Sequence, residues 1–387
     1  MLQFSKYQGL GNDFLLLDGR DLEDGEKAFG LEPDAVRRLC DRRFGVGGDG
    51  VILALPPREA GELRMRILNA DGSEAEMCGN GIRCLARFLA DSDGDGPGRS
   101  WRVETLAGMI VPELQADGTI LVDMGAPFLE PATVPTTLPV GPAGLPQGDL
   151  EVEGMTCTVA AAGMGNPHVV IPVEDVEAVD LERLGAALEI HPAFPARTNV
   201  HFVQVLRPDH LVMRVWERGA GPTLACGTGA CATLVACHLL GLCEGRAQVD
   251  LPGGPLWITW EGPGASVIMR GPAEAVFDGV VVPGLLGGDG PEVPPPSAAG
   301  DAPAVAHPGA GGGPATAGTP LPPAAPLIDC ATACVNGCLR PEACSSAEAR
   351  ARVAALLEGR SLDELVALAA NGVERRALDG PGADGAR

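Results

Sequence analysis

Two stretches of this 387-residue chain place a cysteine and two glycines at the mouth of an apolar run. Met77-Cys78-Gly79-Asn80-Gly81 leads into Ile82-Arg83-Cys84-Leu85-Ala86-Arg87-Phe88-Leu89. Ala225-Cys226-Gly227-Thr228-Gly229 leads into Ala230-Cys231-Ala232-Thr233-Leu234-Val235-Ala236. The glycines allow close backbone approach to a ligand and positive φ. A helix starting there aims unpaired N–H groups and its positive dipole end at the loop. Such a place binds a carboxylate and is expected to stabilise a thiolate, lowering the cysteine pKa. Two such motifs facing each other suit one reaction in particular. Inverting an amino-acid Cα removes a proton from one face and delivers another to the opposite face. One sulfur would enter as thiolate and the other as thiol, as a general base and a general acid. The N–H groups at both helix starts would hold the charge that develops on the carboxylate. Two other readings stand beside this one: a pair of small buried residues at helix starts, and a Cys78–Cys226 disulfide as an inactive oxidised form. Cys40, Cys84, Cys157, Cys231, Cys237 and Cys243 lack the glycine context and read as buried thiols.

The motifs imply a duplicated scaffold, with one copy in each half of the globular part. Residues 1 to about 282 alternate short β-rich runs, such as Val51-Ile52-Leu53 and Val200-His201-Phe202-Val203, with helix-like stretches. Residues 283–326 turn abruptly to Pro, Gly and Ala and read as a disordered linker. Residues 327–378 form a small module holding Cys330, Cys334, Cys338 and Cys344, with capping-box patterns at Ser345-x-x-Glu348 and Ser361-x-x-Glu364. The first three of these cysteines repeat every fourth residue, so on a helix they share roughly one face. A four-thiolate zinc or iron–sulfur site and a helical module with reduced thiols are both open readings.

Composition removes several function classes. The formal net charge of −23 argues against a nucleic-acid or anionic-membrane surface, which needs a basic patch. Only two lysines, Lys6 and Lys27, could form a Schiff base with pyridoxal phosphate, and neither lies in a cofactor-like setting. No cofactor is expected. The first residues lack a secretory pattern and no apolar run approaches a membrane span, so a cytoplasmic location is expected.

Beyond these two loops, a series of separated motifs resembles the diaminopimelate epimerase family over residues 1–282. They are Gly9-Leu10-Gly11-Asn12-Asp13-Phe14, Gly45-Val46-Gly47-Gly48-Asp49-Gly50, Asn69-Ala70-Asp71-Gly72-Ser73-Glu74 and the Cys78 loop. Gly163-Met164-Gly165-Asn166-Pro167-His168, Arg197-Thr198-Asn199, Trp216-Glu217-Arg218-Gly219-Ala220-Gly221 and the Cys226 loop follow. The resemblance implies interconversion of LL- and meso-2,6-diaminopimelate, for lysine and peptidoglycan precursor supply, with Cys78 and Cys226 as the acid/base pair. It implies substrate contacts from Asn12, Asn69, Gly79, Asn80, Asn166, Asn199, Glu217, Arg218, Gly227 and Thr228. It further implies that His168 and Glu217 tune the cysteines. No contact is expected from Gly50, where some members carry a glutamine.

The fold implied is α+β: two pseudo-symmetric domains, each a curved, mostly antiparallel sheet around a central helix. The first domain would take residues 1–127 plus 271–282, the second 128–270, and the assembly would be a homodimer. The runner-up activity is a related two-cysteine racemase for proline or hydroxyproline. A small imino acid would leave Asn166, Asn199, Glu217 and Arg218 unpaired. A non-catalytic scaffold is the third reading, set against the intactness of both cysteine loops.

Overall fold

A computed structural model describes residues 2–22 and 29–286. Lys27, the linker beyond residue 286 and the four-cysteine module with Cys330, Cys334, Cys338 and Cys344 lie outside the described residues.

Two mixed sheets share one compact unit. The first runs β19 (Glu274–Val281), β1 (Leu2–Gly9), β2 (Asn12–Asp18), β3 (Gly50–Leu55), β4 (Leu63–Asn69), β6 (Val103–Thr105) and β7 (Gly108–Ile110). The short β5 (Glu74–Ala75) pairs with β4. The second runs β10 (Gln147–Val152), β11 (Met155–Gly163), β12 (Pro167–Pro172), β13 (Asn199–Arg207), β14 (His210–Glu217), β16 (Arg246–Leu251), β17 (Gly254–Trp260) and β18 (Val267–Gly271). It ends in β9 (Ile120–Asp123) and β8 (Glu113–Leu114), while β15 (Gly221–Thr223) pairs with β14. The duplication shows in the pairing. The first sheet is antiparallel except at β2/β3 and β4/β6, and the second except at β12/β13 and β14/β16. Helices α1 (Pro33–Cys40) and α3 (Leu181–Glu189) make the equivalent crossovers before β3 and β13. Helices α2 (Gly79–Asp93) and α4 (Gly227–Leu239) follow β5 and β15.

Helix α2 starts at Cys78, whose φ of −139° and ψ of 120° are those of an N-cap, and stops at Gly94 in the left-handed region at φ 71°. Helix α4 starts at Cys226 in the same extended geometry. Every residue of α4 from Gly229 to Cys237 is buried, so it has no polar face and can exist only with sheet around it. Both helices lie in one apolar cluster that draws on both sheets, from Tyr7 and Ile52 to Leu256 and Met269. Each fully buried Leu or Phe there stabilises the fold by about 1.5–3 kcal/mol.

Chain segments also cross between the halves. Residues 113–114 and 120–123, which the sequence reading groups with the first half, hydrogen-bond into the second sheet through β18. Strand β19 returns to pair with β1. Residues 283–286, read from composition as the start of the linker, instead form a short helix, α5 (Pro283–Leu286). Leu285 and Leu286 pack on the cluster around Val36 and Leu39, and Arg38 donates to both of their carbonyls at 3.0 Å. Two leucines and a guanidinium thus outweigh the local Pro/Gly signal.

The tip of the β1–β2 hairpin locks onto the second half. Leu10 adopts a φ of 58°, unusual for a branched side chain. A Cβ at Gly253 would lie 2.0 Å from its carbonyl oxygen. Gly253 therefore lets two backbones touch at the seam. Gly253→Ala is expected to lower unfolding free energy by about 1–3 kcal/mol, the usual cost of overpacking, in denaturant melts of the full chain. An unchanged melt would show that the hairpin is free to move away.

Candidate active site

Both cysteine loops meet at this seam. The point where a Gly79 Cβ would stand is 3.8 Å from the Gly227 Cα, and the corresponding point at Gly227 is 3.7 Å from Asn80 Oδ1. The starts of α2 and α4 thus approach closely at their glycines, and the Met269 side chain packs against both, 3.2 Å from the Gly79 point and 3.1 Å from the Gly227 point. Neither helix carries an acidic residue in its first turn, so the positive ends are left for an external anion. Beside them opens a cavity of about 720 Å³. Asn12, Arg42, Asp49, Asn69 and Cys78 line it from the first half, and Glu217, Thr223, Leu224 and Ala225 from the second.

Cys78 accepts the Gly81 N–H at 3.4 Å, and its sulfur lies 3.9 Å from Asn12 Oδ1. Asn80 Nδ2 donates to the same Asn12 oxygen at 3.2 Å and to the Ala225 carbonyl at 3.4 Å, stitching the two loops together. Arg83, fully buried, donates to Asn80 Oδ1 at 2.9 Å, to the Gly79 carbonyl at 3.0 Å and to the Pro272 carbonyl at 3.2 Å. Cys226 is buried, 3.6 Å from Thr228 Oγ1, and the Glu217 carboxyl is near enough to act on its charge. Glu217 in turn accepts the Thr223 hydroxyl at 2.5 Å.

The thiols depart from the helix-dipole expectation. Burial pushes the Cys78 pKa up, although the N–H groups of Gly81 and Asn80 and the charge of Arg83 pull the other way. Burial and then the Glu217 carboxylate push Cys226 well up, against Thr228 and the Gly229 N–H. In a dry site the desolvation of a thiolate outweighs a few N–H donors. Glu217 is itself raised by burial. Cys84 and Cys231 are raised to about 12 by burial, which suits the structural reading of the other core cysteines. All eight cysteines of the described residues are free thiols, Cys78 and Cys226 included.

The remaining candidates divide. Asn12 donates to Asp49 at 2.6 Å, and Arg42 ties Asp49 to Asp13. Asn69 donates to Ser73 Oγ at 3.0 Å. Asn166, Asn199, Arg218 and His168 do not line the cavity, and neither do Gly79, Asn80, Cys226, Gly227 and Thr228, which lie in the cysteine loops beside it. Asn199 accepts the Arg218 N–H at 2.9 Å and donates to the Pro167 carbonyl, and Arg218 is exposed with Nη1 on the Ala196 carbonyl. His168 joins Asn166 Oδ1 at 2.7 Å and His201 Nε2 at 2.8 Å. Three supports escape the sequence reading. Asp49 and Arg42 hold Asn12. Glu189, buried on α3, accepts Trp216 Nε1 at 2.7 Å and the Gly219 N–H at 3.0 Å, fixing the Glu217–Gly219 turn. His201 backs His168. Asp49 stands inside the glycine-rich motif Gly45–Gly50, which is a local signal; Glu189 and His201 carry none.

The arrangement can hold a carboxylate near the paired helix starts, with Cys78 on the cavity wall and Cys226 buried next to Ala225, which lines it. The sequence profile of the diaminopimelate epimerase family matches residues 4–129 and 160–276. The diaminopimelate epimerase of Prochlorococcus marinus (strain MIT 9313) is 62% identical over 283 residues, covering 73% of this chain and 93% of that protein. That of Acaryochloris marina (strain MBIC 11017) is 56% identical over 281 residues, covering 72% and 98%. Among solved structures, a hydroxyproline epimerase from Agrobacterium vitis superposes with a TM-score of 0.53 over 72% of this chain and 91% of its own. At 17% identity that likeness is one of fold.

Burial holds both His168 and His201 neutral, with His201 lowered to about 3 and His168 well below its usual value, further opposed by His201 and Arg218. A folded-state pKa below the unfolded value means stability is fully present above about pH 6.5 and falls as the unfolded chain takes up protons that the folded one refuses. Each ring should cost about 1.4 kcal/mol per pH unit below that point. Urea melts between pH 7 and 5 are expected to show this loss, and His201→Gln to remove about half of its slope. A slope unaltered by that substitution would contradict two neutral buried rings.

Proposed function

The chain belongs to the diaminopimelate epimerase family, and from that membership we propose that Cys78 and Cys226 invert a single Cα of the substrate from opposite faces. The activity is that of an isomerase, epimerisation of LL-2,6-diaminopimelate to the meso form, within lysine biosynthesis. The observation that carries the two-cysteine reading is the meeting of the two helix starts across Gly79 and Gly227.

In the proposed cycle, one thiolate takes the α-proton and becomes a thiol. The electron pair moves from Cα into the adjoining carboxylate. The second thiol then protonates Cα from the other side and becomes the thiolate. The N–H groups of Gly79, Gly227 and Thr228 receive the carboxylate and its growing charge, while those of Asn80, Gly81 and Gly229 serve the sulfurs. Because burial disfavours both thiolates, the substrate's α-ammonium would supply the compensating positive charge. The Arg83 charge favours a thiolate on Cys78 while the Glu217 charge opposes one on Cys226, which favours the resting proton on Cys226.

Asn12, Asn69, Asn80, Glu217 and Thr228 are the proposed contacts near the reacting centre and cavity wall. Asn166, Asn199 and Arg218 are proposed for the distal amino-acid head, reached when the halves close on the substrate and expel water. His168 and Glu217 are the proposed modulators. Among the described residues no helix is long and apolar enough to cross a membrane.

We also propose a homodimer. Among the described residues strand β19 is the end strand of the first sheet and exposes Val276, Phe277, Val280 and the adjoining Val282. Unpaired apolar edges invite strand partners, and aromatic residues anchor interfaces. Phe277→Asp is therefore expected to shift the light-scattering mass from dimer to monomer. A monomeric unsubstituted chain would refute the assembly.

The direct test of the site uses LL-diaminopimelate under reducing conditions without pyridoxal phosphate. The unsubstituted protein is expected to form the meso isomer. Cys78→Ala and Cys226→Ala should each lower inversion by at least about 10²-fold, the low end for a positioned proton-transfer group, with melting behaviour retained. Turnover unchanged in either variant would remove that cysteine from the reaction. Action on proline but not diaminopimelate would overturn the substrate.

A further inference from the structure

His201 has no part in the chemistry above, yet it is a fully buried histidine. It stands on β13 two residues beyond Asn199, which pairs with His168 across the parallel β12/β13 register. The two histidines are therefore diagonal neighbours on one face of the sheet. A continuous chain results: Asn166 Oδ1 lies 2.7 Å from His168 Nε2, and His168 Nδ1 lies 2.8 Å from His201 Nε2. The His201 ring also covers Gly229 in the first turn of α4, where a Cβ would come within 2.3 Å of Cε1. Its Nδ1 is buried with no hydrogen-bond partner among the described residues.

That unpartnered atom sets the direction of the chain. With both rings neutral, one proton on each can be arranged in two ways. In the first, His201 Nε2–H donates to His168 Nδ1, His168 Nε2–H donates to Asn166 Oδ1, and the chain ends in a bare His201 Nδ1. In the second, the Asn166 amide is turned over so that its NH₂ donates to His168 Nε2, His168 Nδ1–H donates to His201 Nε2, and the chain ends in a buried N–H on His201 Nδ1 with no acceptor among the described residues. Orphaned buried N–H groups are rarer in proteins than under-used acceptors, so the first direction holds. The Asn166 oxygen is then occupied, and only its NH₂ remains to meet a ligand. Asn166 is half-buried, so that group is within reach of one.

We propose that His201 is a positioning residue: by donating to His168 it turns the Asn166 amide so that Asn166 offers N–H donors to a substrate carboxylate, not an oxygen to a substrate ammonium. This rests on the reading of Asn166 as a substrate contact. His201 thereby contributes to selecting an acidic head at the distal end without touching it.

Nitrogen-15 NMR of the histidine-labelled full chain reads the tautomers directly, independently of turnover. Both His168 and His201 are expected as neutral Nε2–H rings near pH 7, and an Nδ1–H ring at either position would overturn the proposal. Epimerisation kinetics with LL-diaminopimelate read the consequence. His201→Gln keeps an N–H donor and is expected to hold KM within about threefold. His201→Leu removes the donor and is expected to raise KM about tenfold or more, as for a lost buried hydrogen bond, with a smaller change in kcat. Asn166→Asp, which can only accept from His168 and repel a carboxylate, should raise KM likewise. A KM for Asn166→Asp equal to or below that of the unsubstituted protein, or equal KM values for His201→Leu and His201→Gln, would overturn the proposal. An unsubstituted protein with no action on diaminopimelate would instead refute the functional reading, leaving the NMR to decide the chain's direction.

Discussion

The structure depends on two helix N-termini brought together at glycines, with the Met269 side chain packed against both. Gly79 and Gly227 leave the approach open, and the starts of α2 and α4 bring unpaired N–H groups to one place. Two positive dipole ends facing each other are unfavourable unless something negative joins them. Neither first turn supplies an acid, so a bound carboxylate is the natural counter-charge. The rest of the fold holds this arrangement: α4 is apolar on every side, α2 shares its core, and Asn80 reaches across to the Ala225 carbonyl.

Burial gives the site its electrostatic character. Burial raises both thiol pKa values, so neither sulfur is an easy thiolate, although Cys78 stands on the cavity wall and Cys226 is buried, and the surroundings divide unequally between them. Cys78 has backbone donors and the buried Arg83 guanidinium, whereas Cys226 faces the Glu217 carboxyl. A pair built this way keeps its proton until a ligand brings charge of its own. The same dryness strengthens every hydrogen bond to a developing carboxylate charge. Arg83 is a cation held only by neutral acceptors, at Asn80, Gly79 and Pro272. It ties the returning chain before β19 to the first cysteine loop.

Much of this was legible because it is written locally. A Cys-Gly-x-Gly followed by an apolar run marks a helix start, and its recurrence marks a duplication that the strand pairing repeats. What failed to show was decided by neighbours distant in sequence. The placement of 113–123 in the second sheet depends on pairing with β18, and the docking of Leu285 and Leu286 depends on a groove beside α1. Glu189 and His201 act through α3 and a strand register that no short motif encodes. The thiol pKa values ran against expectation for the same reason: the helix dipole is a local property, whereas desolvation belongs to the assembled core.

The central claim is that two different sulfurs serve one carbon. Its most direct measure is where label appears when LL-diaminopimelate is turned over in deuterated water and stopped at low conversion. The meso product should carry deuterium at the inverted centre, delivered from a solvent-exchanged thiol, while recovered LL substrate remains largely unlabelled. A product that retains the substrate's own hydrogen at that centre, or substrate labelled as fast as product forms, would contradict the account.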